Sequence, residues 1–362
     1  MFNFGNANEG QRKAIATAEG PVLITAGPGT GKTYTLVQRA IYLIEECGVK
    51  PESIFIATFT EKAAKELITR ITNELSDRGI VANINEMYIG TFHSLCLRIL
   101  KEHLEFTRLR RNYRLLDAFD QQYMVFQNIH RFRNIPEVEV ALPNGGAWKQ
   151  SEAICNYVNN LSEELVTPEE LMSDTDLSIA ALGRILKEYR DVLTEGNLMD
   201  FSSIQIEAYH LLQDNVEILE ELRSKVTHIM VDEYQDTNFI QEQLVFLLAG
   251  DRKNICVVGD DDQGLYRFRG ATIRNILEFP QKFAEGECRV IPLVINYRSN
   301  SDIVDFYNEW MATTDGAKFK FRWDNFRYDK RIEPHEKTTL HSPAVVKLAG
   351  VDDTDEWHEK IL

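Results

Sequence analysis

The chain has 362 residues, which is enough for two or three domains of roughly 100–200 residues each. Its formal net charge of −16 argues against a basic protein that coats nucleic acid, so any contact with nucleic acid has to be local. The first residues lack the basic start and apolar centre of a secretion signal, and no apolar run approaches the roughly 18 residues of a membrane span. We therefore expect a cytoplasmic protein without a membrane segment.

The stretch ITAGPGTGKTYT, residues 24–35, follows an apolar run and opens a helical pattern. Its glycines, Gly27, Gly29 and Gly31, allow positive φ and let several backbone N–H groups approach a polyphosphate. The positive end of the following helix would point at the same anion. Lys32 can reach the β and γ oxygens, and the Thr33 hydroxyl can ligate Mg²⁺. The stretch therefore predicts a phosphate loop that binds a nucleotide with Mg²⁺.

Short runs rich in β-branched residues alternate with helical patterns along much of the chain, which predicts an α/β fold with a parallel sheet covered on both faces. The runs are PVLITA, SIFIATF, MYIGTF, HIMVDE, NICVVGD and VIPLVI. Between about Lys101 and Glu195 the strand pattern is replaced by helices and polar loops. The sheet is therefore expected to come from two separated segments with a helical insertion between them.

Acidic residues follow the run HIMV, where the carboxyl end of a strand in an open α/β sheet delivers catalytic groups. Asp232 is placed to hold Mg²⁺, and Glu233 can orient and deprotonate the water that attacks the γ-phosphate. The next strand leads into VVGDDDQGLYRFRGA, whose three aspartates have to face solvent, a cation or a basic partner. Gln263, just after them, is a neutral polar group suited to sensing the γ-phosphate.

The same segment alternates aromatic and basic residues. Tyr266 and Phe268 lie beside Arg267 and Arg269. This pattern suits a single nucleic-acid strand, because every base offers a face for stacking and every link carries a phosphate.

Eight segments together resemble the N-terminal part of a superfamily 1 helicase of the UvrD/Rep/PcrA type, and they occur in that family's order. They are NEGQRKAI, AGPGTGKT, ATFTEKAAKEL, YIGTFHSLCLRIL, MDFSSI, VDEYQDTN, VVGDDDQGLYRFRGA and LVINYRSN. The resemblance implies an ATP-dependent DNA helicase that moves 3′ to 5′ on single-stranded DNA, opens duplex junctions and serves DNA repair or replication. No protein partner is indicated.

The resemblance also implies roles for individual residues. Gln11 would read the adenine edge, Tyr297 would stack on adenine and Arg298 would reach the γ-phosphate. In the phosphate loop, the nucleotide-binding residues would be Ala26, Gly27, Gly29, Thr30, Gly31, Lys32 and Thr33. Tyr34 stands where members often have an arginine, and a tyrosine can stack on a nucleotide but brings no charge. The residues implied on the DNA side are Phe59, Thr91, His93 and Phe268.

The predicted architecture has four parts, with the sheet in a RecA-like ATPase domain. Residues 1–102 and 196–285 form that domain, 103–195 form the helical insertion, and 286–362 begin a second RecA-like domain. The family's later motifs have no match after Ser299, so we expect a fragment of a longer helicase that turns ATP over slowly by itself. Two alternatives stay open: a helicase subunit of a nuclease or anti-phage complex, and a module that binds nucleotide and DNA without turnover.

Overall fold

The computed structural model describes residues 2–264, 273–312, 327–328 and 330–336. Six parallel strands form the central sheet, and each of them overlaps one of the six apolar runs picked out in the sequence. The strands in order across the sheet are β3 (Tyr88–Thr91), β2 (Ile54–Thr58), β6 (His228–Val231), β7 (Ile255–Gly259), β1 (Val22–Ala26) and β8 (Arg289–Leu293). The predicted α/β fold with a parallel sheet is confirmed.

Helices cover both faces of this sheet. Side chains of β2 alternate between two apolar clusters: Phe55 and Ala57 belong to one, and Ile54 and Ile56 to the other. Strand side chains alternate between the two faces, so each cluster lies on its own face. The helices outside the insertion are α1 (Glu9–Ala16), α2 (Lys32–Glu45), α3 (Glu61–Asp77), α4 (Phe92–Glu102), α10 (Phe201–Asp214), α11 (Val216–Lys225), α12 (Phe239–Ala249), α13 (Arg274–Glu278) and α14 (Ser301–Ala312).

The segment between α4 and α10 is helical and has an apolar cluster of its own. This third cluster includes Phe132, Ile154 and Leu186, all fully buried. A short parallel pair, β4 (Arg114–Leu115) and β5 (Leu198–Met199), joins the two ends of the segment. Its helices are α5 (Ala118–Gln127), α6 (Ile129–Arg133), α7 (Ala147–Glu163), α8 (Pro168–Met172) and α9 (Leu177–Glu195).

Strand β8 lies at the edge of the central sheet, where it pairs with β1 through Leu23 and Val290. The domain boundary predicted from the sequence, at residue 286, assigns this strand to the second RecA-like domain instead. The strand is bound to the first sheet by a parallel ladder over five residue pairs, from Val22 to Ala26. We therefore propose that the boundary between the two domains follows Leu293. Beyond it, β9 (Ile295–Asn296) pairs with β10 (Glu333–Pro334).

A search of the described residues finds no helix that is long and apolar enough to cross a membrane.

Candidate nucleotide site and adjoining groove

The loop between β1 and α2 has the shape of a phosphate cradle. Gly29 has φ of 71° and Gly31, the N-cap of α2, has φ of 87°, which is the left-handed region that glycine adopts without strain. Gly27 differs from the expectation because its φ is not positive. A Cβ at Gly27 would instead meet the end of the Ile332 side chain, which would have to shift. The first turn of α2 carries Lys32 and Thr33 at the mouth of this loop.

Lys32 contacts the acidic loop that follows β6. Its Nζ lies 2.8 Å from Oε2 of Glu233, and both side chains are partly buried. Glu233 has φ of 50°, an uncommon value for a residue with a side chain, which turns the carboxylate towards the phosphate loop. The two strands that carry these groups, β1 and β6, are separated in the sheet by β7 alone. Parallel pairing thus brings residues about two hundred positions apart into contact.

Asp232 is almost fully buried beside Glu233. Burial, and then the Glu233 carboxylate, raise the pKa of Asp232 above its usual range, because two carboxylates share a site with one ammonium. Such a site favours an additional cation. The Asp232 carboxylate and the Thr33 hydroxyl are hard oxygen donors of the kind that Mg²⁺ prefers, so the residues present fit that ion.

A chain of hydrogen bonds extends from this site to the turn after β7. Gln235 donates from Nε2 to Oε2 of Glu233 at 2.8 Å and accepts at Oε1 from the backbone N–H of Asp260 at 3.0 Å. Gln263 donates to Oδ2 of Asp260 at 2.6 Å. The sequence prediction included Gln263 but missed Gln235. The sequence feature that could have identified Gln235 is its position in VDEYQDTN, two residues after Glu233.

The three consecutive aspartates face a basic partner. Nζ of Lys330 lies 2.5 Å from Oδ1 of Asp260, contacts Asp261 and lies 3.4 Å from Oδ2 of Asp262. Burial alone would lower the pKa of Lys330, but the aspartates outweigh burial and raise it. Arg327 forms two further hydrogen bonds to Asp262, at 2.6 and 2.8 Å. The oxygens of this cluster could ligate a metal by their spacing, but here the Lys330 ammonium supplies the positive charge.

The segment after β9 lies against the phosphate loop. Tyr297 donates its backbone N–H to the carbonyl of Gly29 at 2.9 Å, and its hydroxyl accepts from Nδ2 of Asn8 at 3.0 Å. Its ring is half exposed and lies 4.6 Å from the ring of His335. The Arg298 side chain is exposed, while its Cβ lies so near Gly29 that a Cβ on that glycine would come within 2.8 Å of it. Both residues therefore lie beside the loop, and their nucleotide contacts stay predictions.

Gln11 braces the phosphate loop in this structure. Its Nε2 donates to the carbonyl of Thr30 at 3.1 Å, and its Oε1 accepts from the backbone N–H of Asn8 in a capping box at the start of α1. Thr30 and Ala26 are fully buried, so they contribute to the packing of the phosphate loop against the core. Tyr34 donates to the carbonyl of Phe4 at 3.3 Å, which directs its hydroxyl towards the N-terminal segment. Adenine recognition by Gln11 and a nucleotide contact by Tyr34 stay predictions.

A groove of about 960 Å³ lies between the sheet domain and the helical insertion. The predicted residues Phe59, Thr91 and His93 all line it. Phe59 follows β2, and Thr91 is the N-cap of α4, so the carboxyl ends of β2 and β3 form one wall. The opposite wall comes from the insertion and consists of Leu115, Leu116, Asp117, Ala118, Gln121, Asn156, Asn159, Asn160 and Glu163.

His93 is held at the base of the groove by neighbours that the sequence did not indicate. Nε2 of the buried Gln205 lies 3.1 and 3.3 Å from the two ring nitrogens, and the Phe201 ring lies 5.5 Å away. Burial lowers the pKa of His93, which favours a neutral imidazole. Phe201 is 53% exposed and is an aromatic group of the groove that sequence reasoning missed. The sequence feature that could have identified Phe201 is its position in MDFSSI, one of the eight segments that resemble the helicase family.

The groove carries negative rather than positive charge. None of its described lining residues is a lysine or arginine, and four are acidic: Glu61, Asp117, Glu163 and Asp236. Burial raises the pKa of Glu163 to about 7, and burial together with Glu233 does the same for Asp236. One oxygen of each of these two side chains is buried without a hydrogen-bond partner in the described part of the chain. Tyr266 and Phe268 lie outside the described residues.

A parallel sheet with a phosphate loop after β1 and an acidic loop after β6 defines a P-loop nucleotide-binding protein of the RecA type. The chain belongs to the UvrD/REP helicase family, whose N-terminal domain model matches residues 7–284. It is 35% identical over 340 residues to an ATP-dependent DNA helicase PcrA of Staphylococcus epidermidis, and the aligned region covers 94% of this chain and 44% of that helicase. An ATP-dependent DNA helicase PcrA of Staphylococcus aureus is 34% identical over 338 residues, and that alignment covers 93% of this chain and 44% of the helicase. The chain thus spans less than half the length of these curated relatives.

Proposed function

We propose that the chain is the ATP-binding part of a DNA helicase that couples ATP hydrolysis to movement 3′ to 5′ along single-stranded DNA and to opening of duplex junctions. The family and the names of the relatives support ATP and DNA as ligands. The direction of movement, a role in DNA repair or replication and a cytoplasmic location follow from the resemblance and form part of the proposal.

One observation carries this proposal: a single short loop, residues 232–238, borders both sites. At one end Glu233 contacts Lys32 of the phosphate loop. Three residues further on, Asp236 lines the groove, as does Asn238 at the start of α12. We infer that a change in the contacts of Glu233 on ATP binding is passed through this loop to Asp236 and Asn238 in the wall of the groove. That is the physical link that a motor driven by ATP requires.

The chemistry proposed is in-line attack of water on the γ-phosphate. ATP binding would replace the Lys32–Glu233 ion pair by contacts between Lys32 and phosphate oxygens. Glu233 would then orient and deprotonate the attacking water. The exposed Arg298 side chain would approach the γ-phosphate and stabilise the charge that develops there. Thr33 and Asp232 would hold Mg²⁺, which supplies further positive charge at the transferring phosphoryl group.

Lys32→Ala is expected to abolish binding of Mg·ATP, because it removes the cation in the cradle and leaves Glu233 facing the phosphates. Isothermal titration calorimetry with ATP checks this. Lys50→Ala, an exposed lysine after α2, is the matched control and should bind as the unmodified chain does. Equal ATP affinity of the Lys32 variant and the control would contradict the assignment of the site.

Phe201→Ala is expected to weaken binding of single-stranded DNA about five-fold to a hundred-fold, because stacking is worth about 1–3 kcal/mol per base. Fluorescence anisotropy with a labelled oligothymidylate measures the Kd. Phe106→Ala is the control, since Phe106 is 56% exposed and does not line the groove. If both variants bind as the unmodified chain does, Phe201 does not stack on DNA.

A further inference from the structure

Four aromatic side chains form an exposed cluster on the helical insertion, outside the groove. We call Phe119, Tyr123, Phe126 and Trp148 the aromatic patch; their exposed fractions are 64, 44, 37 and 42%. The first three lie on one face of α5, at helical spacings of four and three residues. Trp148 joins them from the first turn of α7, with ring centroids 6.0 Å from Phe119 and 5.5 Å from Phe126. Exposed patches of this kind commonly mark interaction sites.

The rings along α5 are nearly parallel. The planes of Phe119 and Tyr123 differ by 4° with centroids 6.2 Å apart, and those of Tyr123 and Phe126 differ by 21° at 6.4 Å. These separations are close to twice the roughly 3.4 Å rise per nucleotide of a stacked strand. Successive rings can therefore meet every second base. Bases of a single strand expose the flat faces that such rings require, whereas a duplex buries them.

Positive charge flanks the aromatic patch. Lys149 follows Trp148, and Arg133 reaches the same end of α7 by donating to Oε1 of Gln150 at 2.9 Å. Both are exposed, and neither has an ion-pair partner in the part of the chain that the structure describes. Asp120 on α5 is already paired with Arg114 at 2.5 Å. The opposing charges are Asp117 at the N-cap of α5 and Glu152, one turn after Trp148. Lys149 and Arg133 are thus two exposed cations beside the rings that can contact the phosphates of a strand stacked there.

The aromatic patch adjoins the groove. Ala118 and Gln121 of α5 line the groove, and Phe119 projects from the same helix about 100° further round its axis. A strand that leaves the groove over α5 would therefore meet the patch. The described groove lining has no lysine or arginine to neutralise phosphates, whereas the patch has two such cations beside it.

We propose that the aromatic patch is a second binding surface for single-stranded DNA, which continues the path of the strand beyond the groove. Bases stack on Tyr123 and Trp148, and Lys149 and Arg133 neutralise phosphates. This inference rests on the proposed function, because it extends the DNA path that the groove begins.

The test compares two oligothymidylates, one of about 8 nucleotides that the groove accommodates and one of about 20 that reaches the patch. The double variant Tyr123→Ala, Trp148→Ala is expected to raise the Kd for the longer strand at least about tenfold and to leave the Kd for the shorter strand unchanged. Phe106→Ala serves as the matched exposed aromatic. Circular dichroism during heating confirms that the insertion, whose core residue Phe132 is untouched, still folds.

A second variant tests the charges. Arg133→Gln with Lys149→Gln should reduce the slope of log Kd against log salt for the longer strand by about 0.7 for each phosphate that is no longer neutralised, or about 1.4 in total. Unchanged Kd and slope for the longer strand in both double variants would overturn the proposal, while Phe201→Ala would still report on the groove. If the unmodified chain binds neither strand, the proposed function itself fails. Sedimentation velocity tests whether a second copy of the chain occupies the aromatic patch instead. If the unmodified chain is a dimer that the aromatic variant dissociates, and the DNA affinity is unchanged, the patch belongs to a dimer interface and the proposal is overturned.

Discussion

Glu233→Gln is expected to lower ATP hydrolysis by about 10²–10⁴-fold while the affinity for ATP stays equal or rises, since the amide keeps the shape of the side chain but cannot accept the proton of the attacking water. The Glu233 carboxylate also holds the Lys32 ammonium at 2.8 Å in the structure. Its loss frees the ammonium for the phosphates, so ATP binding no longer has to break an ion pair.

Single-turnover hydrolysis with protein in excess over labelled ATP, with single-stranded DNA present, measures this effect even where steady-state turnover is slow. Calorimetry measures the affinity. Glu45→Gln, at the far end of α2 and paired with Arg78, is the control and should leave both quantities unchanged. Hydrolysis by the Glu233 variant at the rate of the unmodified chain would exclude Glu233 as the base. Absence of hydrolysis in the unmodified chain, with ATP bound, would favour the alternative of a binding module.

Lys330→Met is expected to release the segment 330–336 from the site. The Lys330 side chain is fully buried between Asp260 and Asp261, and removing one partner of a buried ion pair costs about 3–5 kcal/mol because the other charges remain uncompensated. The amides of Ile332, Glu333 and His335 form hydrogen bonds that depend on this docking. Their hydrogen exchange should become roughly a hundred-fold to several thousand-fold faster.

Hydrogen exchange followed by mass spectrometry over residues 330–336 checks the expected release. Lys253→Met is the matched control, since Lys253 pairs with Glu287 at the surface, where an ion pair contributes at most about 1 kcal/mol. Equal exchange rates in the two variants would show that the aspartate cluster does not hold the segment.

The sequence by itself determined the strands, the phosphate loop and the acidic pair. Each of these is a local pattern: a run of β-branched residues, a glycine spacing, or two carboxylates after a strand. Local patterns depend on neighbours within a few positions, so they can be found without the fold. The same reasoning identified Lys32 and Glu233, but it could not show that their side chains form an ion pair.

Only the tertiary structure decided which distant residues share a surface. Gln235 connects Glu233 to Asp260, and Lys330 enters the aspartate cluster from a segment about seventy positions away. Strand β8 belongs to the first sheet because its partner is β1, far earlier in the chain. Gly27 lies against the side chain of Ile332, a residue about three hundred positions later, and its φ is not positive. Parallel pairing and packing across an insertion bring these groups together, and no periodicity in a single sequence encodes such long-range contacts.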